Sequence, residues 1–258
     1  MRSSLPVVLG AALLACGLLV SVSSDARVDP DNFVGIWLLD DDGGDVADIS
    51  GNEMTGELTG NPKWVDGVRG GAIRLPGGGE TVKIPEMAVN FPSEEVTIVG
   101  WARMTDQKNQ DFFSLEPLEP GRVTVHMPWD NAVHWQFGTP FVGIAPRNND
   151  HTLDEWTHWA FVHSVADTVM LVYENAEEVV RAGTAKDFAG RGGDFHIGGR
   201  LGSSFGGDVD EFAIFDTVVS PDDISKIMDQ GLARALLIED VQPLGKLTST
   251  WATLKLDQ

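Results

Sequence analysis

Hydrophobic and polar positions alternate in short bursts along most of this chain. Stretches 33–39, 72–75, 81–84, 96–104, 112–115, 122–127 and 132–137 are rich in β-branched or aromatic residues, and 157–163, 168–173, 177–181, 194–197 and 209–215 continue the series. Gly, Pro, Asn or Asp separates nearly all of them, the pattern of strands joined by turns. Val123-Thr124-Val125-His126 and the run from Val209 to Phe215 place apolar and other side chains on opposite faces, as a half-buried strand requires. One helical pattern stands out at 220–230. Ser220 suits an N-cap, Pro221 the first helical position, Asp222 and Asp223 the positive end of the dipole, and Ile224, Ile227 and Met228 share a face. Gly231 either stops that helix or interrupts it, since 232–237 also tolerates helix. The pattern predicts an all-β fold: a two-sheet antiparallel jelly-roll sandwich over 27–237 with one short C-terminal helix, followed by a tail at 238–258.

The first 26 residues follow different rules. Met1 and Arg2 open the chain, an apolar run extends from Leu5 to Val22, and Ser24-Asp25-Ala26 places small residues where a signal peptidase reads. This three-part layout predicts a signal peptide ending near Ala26, and hence a secreted, cell-envelope or periplasmic protein. Leu13-Leu14-Ala15-Cys16 offers a second reading, a lipobox with lipidation at Cys16, although the apolar run continues past the cysteine. Cys16 is the one cysteine of the chain, so the segment after the signal has no disulfide, no thiolate nucleophile and no Cys-bound zinc.

Charge removes further classes. The chain of 258 residues carries 18 Lys+Arg against 39 Asp+Glu, a formal net charge of −21. Such a surface repels phosphate backbones and anionic lipid, so nucleic acid is not an expected partner, nor is membrane insertion beyond the signal or a lipid anchor. It attracts cations.

Two acidic segments carry candidate chemistry. The loop 40–52 holds Asp40, Asp41, Asp42, Asp45 and Asp48 and ends at Asn52. Packed carboxylates repel one another unless a cation or solvent compensates, and Ca2+ takes oxygen ligands of this kind. The loop is therefore either a solvated acidic turn or part of a structural calcium site. Asp208-Val209-Asp210-Glu211 is the second segment. If the first and last strands pair, Asp210 joins Asp40, Asp48 and Asn52 as a metal ligand; simple strand alternation instead turns Asp208 and Asp210 to water. Trp37, Trp101 and Trp159 lie inside strand patterns and are expected in the core. Trp129 lies in the Pro128-Trp129-Asp130-Asn131 turn, where an aromatic face beside polar acceptors suits a sugar ring. His126 and His134 face each other across that hairpin, so His126, Trp129, Asp130 and His134 form the candidate ligand site, with a shared metal as a further option. The remaining histidines are expected to be structural and hydrogen-bonded.

Several segments together resemble a known family. Trp37-Leu38-Leu39-Asp40 with Asp48-Ile49-Ser50-Gly51-Asn52 is similar to the opening strand and loop of laminin G-like jelly rolls of the concanavalin A-like lectin/glucanase superfamily. Gly70-Gly71-Ala72-Ile73-Arg74-Leu75, Val96-Thr97-Ile98-Val99-Gly100-Trp101, Trp156-Thr157-His158-Trp159-Ala160 and Gly207-Asp208-Val209-Asp210-Glu211-Phe212 resemble later strands in order, and the 220–230 helix resembles the usual tail. The resemblance spans about residues 33–230. It implies a two-sheet sandwich, often with one structural calcium near the first and last strands, and leaves function open among lectins, glycosidases and adhesion or spacer modules.

Within that family, glycosidases place two Glu on one strand flanking the scissile bond. No such spacing occurs here, and in Asp208-x-Asp210-Glu211 the adjacent acids alternate to opposite faces. The lyase strand motifs are absent too, and Tyr173 is the lone tyrosine. No catalytic residue is assigned. The expectation is a secreted, non-catalytic binding or adhesion module for a glycan or an extracellular protein, with calcium as a candidate cofactor. A glycosidase or lyase and a purely structural envelope module are the alternatives.

Overall fold

A computed structural model describes residues 28–40, 43–89, 91–117, 121–130, 132–139, 141–145, 153–189, 193–200 and 202–236. The expected signal peptide with Cys16, the tail from 238, and Asp41, Asp42, Asn131 and His151 lie outside the described residues.

In chain order the strands are β1 (Phe33–Trp37), β2 (Glu57–Thr59), β3 (Lys63–Asp66), β4 (Gly71–Pro76), β5 (Thr81–Ile84), β6 (Glu95–Met104), β7 (Asp111–Leu115) and β8 (Arg122–Trp129). They continue with β9 (Ala132–Gly138), β10 (Phe141–Ile144), β11 (Thr157–Ser164), β12 (Val169–Glu174), β13 (Glu177–Ala182), β14 (Phe195–Ile197) and β15 (Gly206–Phe215). An eight-stranded sheet runs β13-β12-β11-β6-β15-β4-β3, with β1 also on β15; a seven-stranded sheet runs β10-β9-β8-β7-β14-β5-β2. All these pairings are antiparallel. The two-sheet sandwich expected from the pattern is the fold of the chain. Three strands were not foreseen. β2 and β3 are short and largely exposed, and β10 carries a glycine at its centre, so none shows a clear period-2 signal.

Alternation sorts each central strand between two cores. Trp159, Phe161, Ile98, Phe212 and Ile214 point between the sheets, where they meet Phe112, Phe113, Val125 and Trp135. Their neighbours Ala160, Val162, Val99, Ala213 and Phe215 point outward from the eight-stranded sheet. Helix α1 (Pro221–Gln230) and the one-turn α2 (Leu232–Ala235) cover that outer face with Ile224, Ile227 and Leu232. Each such side chain moved out of water contributes about 1.5–3 kcal/mol. The helix starts as its sequence predicts: Ser220 Oγ accepts from the Asp223 N–H at 3.1 Å. Gly231, at φ 85°, ends α1, and the chain resumes as α2.

β15 changes partner halfway. Gly206–Val209 pair with β4 and Phe212–Phe215 with β1, while β6 follows the other edge with a register shift between Asp210 and Ala213. Val209 and Phe212 both face the inter-sheet core. The bulge, with Glu211 at φ 48°, therefore turns both Asp210 and Glu211 to the outer side, against the alternation expected from sequence.

Candidate ligand-binding and metal sites

The outer face of the seven-stranded sheet is polar, and among the described residues no helix lies over it. Inward positions on β8 and β9 are Val123, Val125, Met127, Val133, Trp135 and Phe137, so Arg122, Thr124, His126, His134 and Gln136 point away from the core. Register aligns Glu57, Lys83, His196, Ser114, Thr124 and Gln136 into one row crossing six of the strands and ending opposite Gly143 on β10. Ser114 Oγ and Thr124 Oγ1, neighbours in that row, are buried with no hydrogen-bond partner among the described residues. Burial pushes the His196 imidazole below its ordinary range.

At one end of this face the hairpin β8–β9 brings the expected ligand residues together. His126 and His134 are directly paired, with ring centroids 6.4 Å apart, and the half-buried Trp129 ring lies 4.8 Å from His126. His134 Nε2 lies 3.0 Å from the Trp129 carbonyl. Asp130, exposed at φ 50°, forms the turn, and its N–H donates to Asn109 Oδ1 at 3.0 Å. Behind this corner sits a residue not foreseen from sequence, Asp111. Fully buried, it is bonded to His126 Nδ1 and accepts from Ser203 Oγ at 2.7 Å, with Arg200 Nε 3.1 Å away. Glu116, 3.8 Å from the same Arg200 nitrogen, is raised by burial despite that cation. Gly198 and Gly199, both at positive φ, bring the Arg200–Ser203 turn against Asp111. Nothing local in the sequence flags Asp111, because it opens an otherwise apolar strand and its partners lie 15 to 92 residues away.

The four expected metal ligands divide. Asp48 accepts from the N–H groups of Ile36, Ser50 and Met54 and from Ser50 Oγ, all within 2.8–3.0 Å, so its carboxylate organises the loop. Asn52 donates its amide to the carbonyls of Phe33 and Val34 and latches the loop to β1. Asp40 and Asp210 meet at the turn between β3 and β4. Asp40 Oδ1 accepts from Gly71 N at 2.6 Å; Asp210 Oδ2 accepts from Val68 N at 2.7 Å and Arg69 N at 3.1 Å. A Cβ at Gly70 would run into the Asp40 carboxylate. Asp210 Oδ1 is buried without a partner, and burial pushes this carboxyl up to about 7. Glu211 is raised for the same reason, although Leu232 N donates to its Oε2 at 3.0 Å. The water-facing alternative for Asp208 and Asp210 is thereby corrected. Both are fully buried, and Asp208 is bracketed by Arg74 at 2.6 Å and Arg103 at 2.6 Å. An orphaned carboxylate oxygen beside a second carboxylate fits a hard cation for Asp40 and Asp210, but not for Asp48 and Asn52. Among the described residues no group of three or more His, Cys, Asp or Glu forms a metal cluster.

Other expectations resolve individually. Trp37 and Trp159 are core, whereas Trp101 lies half-buried on the outer face of the eight-stranded sheet against His158. His163 is half satisfied: its Nε2 accepts from Lys186 N at 3.1 Å, while its Nδ1 is buried without a partner among the described residues. Both ring nitrogens of His158 are buried without partners among the described residues, and burial keeps that ring neutral, pushed down to about 3.

The sandwich agrees with a family match. A model of the concanavalin A-like lectin/glucanases superfamily, laminin G type, matches residues 76–225. The chain belongs to this superfamily. No curated protein sequence matches it. Among solved structures, it is similar to domain 4 of AbnA, a GH43 extracellular arabinanase from Geobacillus stearothermophilus, in complex with arabinotriose. That likeness has 20% identity and a TM-score of 0.66, covering 76% of this chain and 98% of that one. The binding domain of Paraclostridial Mosquitocidal Protein 1 matches at 16% identity and TM-score 0.60, covering 77% of this chain and 52% of that one. The binding domain of botulinum neurotoxin DC in complex with SialylT matches at 13% and 0.62, covering 79% and 52%. This laminin G-like chain thus spans about half of those toxin domains, and the likeness at these identities is one of fold.

Proposed function

We propose that this laminin G-like chain is an exported, non-catalytic module that binds a glycan at the Trp129 corner of the seven-stranded sheet. The observation that carries the reading is a half-buried indole at a hairpin tip, flanked by His126, His134 and the exposed Asp130 on a face that no helix of the described residues covers. An aromatic face of this kind stacks on the C–H face of a sugar, and the flanking nitrogens and carboxylate take its hydroxyls. The arabinotriose-bound and SialylT-bound structural neighbours support a glycan, and the toxin binding domains leave an extracellular protein as the other partner class. The non-catalytic reading is supported by the state of the acid pair that the bulge does bring to one face: Asp210 and Glu211 are both buried, Asp210 accepting from Val68 N and Arg69 N and Glu211 from Leu232 N.

Binding is tested with a glycan array followed by calorimetry, arabino-oligosaccharides being the first probe. Trp129→Ala should abolish the heat of binding and leave the melt within about 1 kcal/mol, as for a partly exposed side chain outside the core. Binding unchanged in that variant, or sugar release from a polysaccharide panel, overturns the reading.

The same proposal includes a structural Ca2+ held by Asp40 and Asp210 with carbonyls of the 67–71 turn. The ion would supply the positive charge that the buried Asp210 oxygen lacks. Metal bound only by the native state stabilises by RT ln(1 + [L]/Kd), about 2.7 kcal/mol at a hundredfold excess over Kd. A melt insensitive to calcium and EDTA removes this part. Mass spectrometry of the mature N-terminus decides between cleavage near Ala26 and lipidation at Cys16.

A further inference from the structure

His126 and His134 each have one ring nitrogen set against a group that can only accept. His126 Nδ1 bonds to the Asp111 carboxylate, which is itself fixed by Ser203 and flanked by Arg200. His134 Nε2 faces the Trp129 carbonyl. An acceptor on one nitrogen places the N–H there and leaves the lone pair on the other. In the neutral rings, His126 Nε2 and His134 Nδ1 are therefore both lone-pair sites, on residues that stand directly opposite each other on the open face. The carboxylate behind His126 is the outer-shell arrangement that orients a metal-binding imidazole and raises its basicity. With N–metal bonds of ~2.0–2.1 Å each ring centre lies roughly 3 Å from a bound ion, so one ion spans rings up to ~6 Å apart. The observed 6.4 Å separation lies at the outer edge of that range, as for two imidazoles nearly opposite each other across one ion.

We infer that this histidine pair binds a borderline divalent cation, Zn2+, Cu2+ or Ni2+, in an open two-imidazole site whose remaining positions are taken by water or by donor atoms of a bound partner. Imidazole nitrogen selects these ions over Ca2+ and Mg2+, which prefer oxygen. No third His, Cys, Asp or Glu joins the pair among the described residues, so the affinity is that of a two-point chelate and weaker than that of a closed structural site. The site is separate from Asp40 and Asp210, which lie on the other sheet and offer oxygen alone.

The untagged full chain, stripped with chelator and then held in excess Ca2+, is titrated with ZnCl2 by calorimetry; a Cu2+-loaded sample is examined by electron paramagnetic resonance. One ion per chain is expected, undisplaced by Ca2+, with a Cu2+ spectrum carrying hyperfine structure from two imidazole nitrogens. His126→Ala and His134→Ala should each weaken binding at least about tenfold. Asp111→Asn, through loss of the oriented tautomer, should weaken it about 10–100-fold. His196→Ala, on the same face but outside the pair, should leave it unchanged. Absence of stoichiometric binding, a spectrum with fewer than two imidazole nitrogens, or binding that survives loss of both histidines overturns the inference. The spectrum is read on the unsubstituted chain, so the test holds even where a variant fails to fold.

Discussion

The two outer faces of this sandwich obey the same alternation and end in opposite states. On the eight-stranded sheet the outward positions Val99, Ala160, Val162, Ala213 and Phe215 are apolar, and α1 and α2 seal them into a second core. On the seven-stranded sheet the outward positions are Arg122, Thr124, His126, His134, Gln136 and His196, and among the described residues nothing helical covers them. A strand pattern therefore says which side chains share a face; whether that face becomes core or binding surface depends on what the rest of the chain lays over it. Polar groups on a covered face must find partners or be neutral, as His158 is, whereas on an open face they remain for a ligand.

The largest test of this contrast removes an anchor of the cover. Ile224→Ala should cost about 2–5 kcal/mol, read from urea unfolding, because Ile224 is fully buried between helix and sheet. A loss below about 1 kcal/mol would mean that the covered face is no second core.

The next test uses pH. Burial holds His158 down to about 3 and His163 to about 4, both below the unfolded value of ~6.5. The native state then binds fewer protons than the unfolded chain in that window. Their contribution to stability is fully present above about pH 6.5 and is lost as pH falls through 4 and towards 3. Unfolding should take up about one more proton per buried histidine there, and His158→Leu should make the stability–pH profile shallower between pH 4 and 6.5. An unchanged profile would show that His158 does not titrate with unfolding.

On the open face, Asp111→Ala should cost about 1.5–3 kcal/mol, since it removes charge-assisted hydrogen bonds and leaves His126 and Ser203 unpartnered. The loss should appear first as faster hydrogen exchange in residues 198–205, which Asp111 ties to the hairpin. The smallest effect, about 1 kcal/mol, is expected for Ser220→Ala, which removes the helix N-cap.

Much of the fold was legible from residue order because its causes are local. Period-2 runs separated by turn residues located most of the strands within one to three positions, and Ser220, Pro221 and Gly231 marked the ends of α1. β2, β3 and β10 escaped because edge strands need little hydrophobicity; their backbone is held on one side only. The Trp129 corner was legible as a hairpin, since His126 and His134 flank one tight turn. Asp111 was not, because its partners come from two other parts of the chain, β8 and the turn that holds Arg200 and Ser203. The two acidic segments read as four equivalent oxygen donors, Asp40, Asp48, Asn52 and Asp210, yet backbone N–H groups occupy Asp48, the latch to β1 occupies Asn52, and of the four it is Asp210 that keeps a buried oxygen without a partner among the described residues.

The order of residues by itself determined the layered β architecture, the capped helix and the acidic, cysteine-poor character, since propensity, period and charge act over a few neighbours. Tertiary structure alone decided the bulge that turns Asp210 and Glu211 to one side, the choice of which sheet face α1 seals, and the acceptors that set the His126 and His134 tautomers. Each of these depends on a backbone or side-chain group brought from far along the chain, and no local pattern records which distant group will arrive.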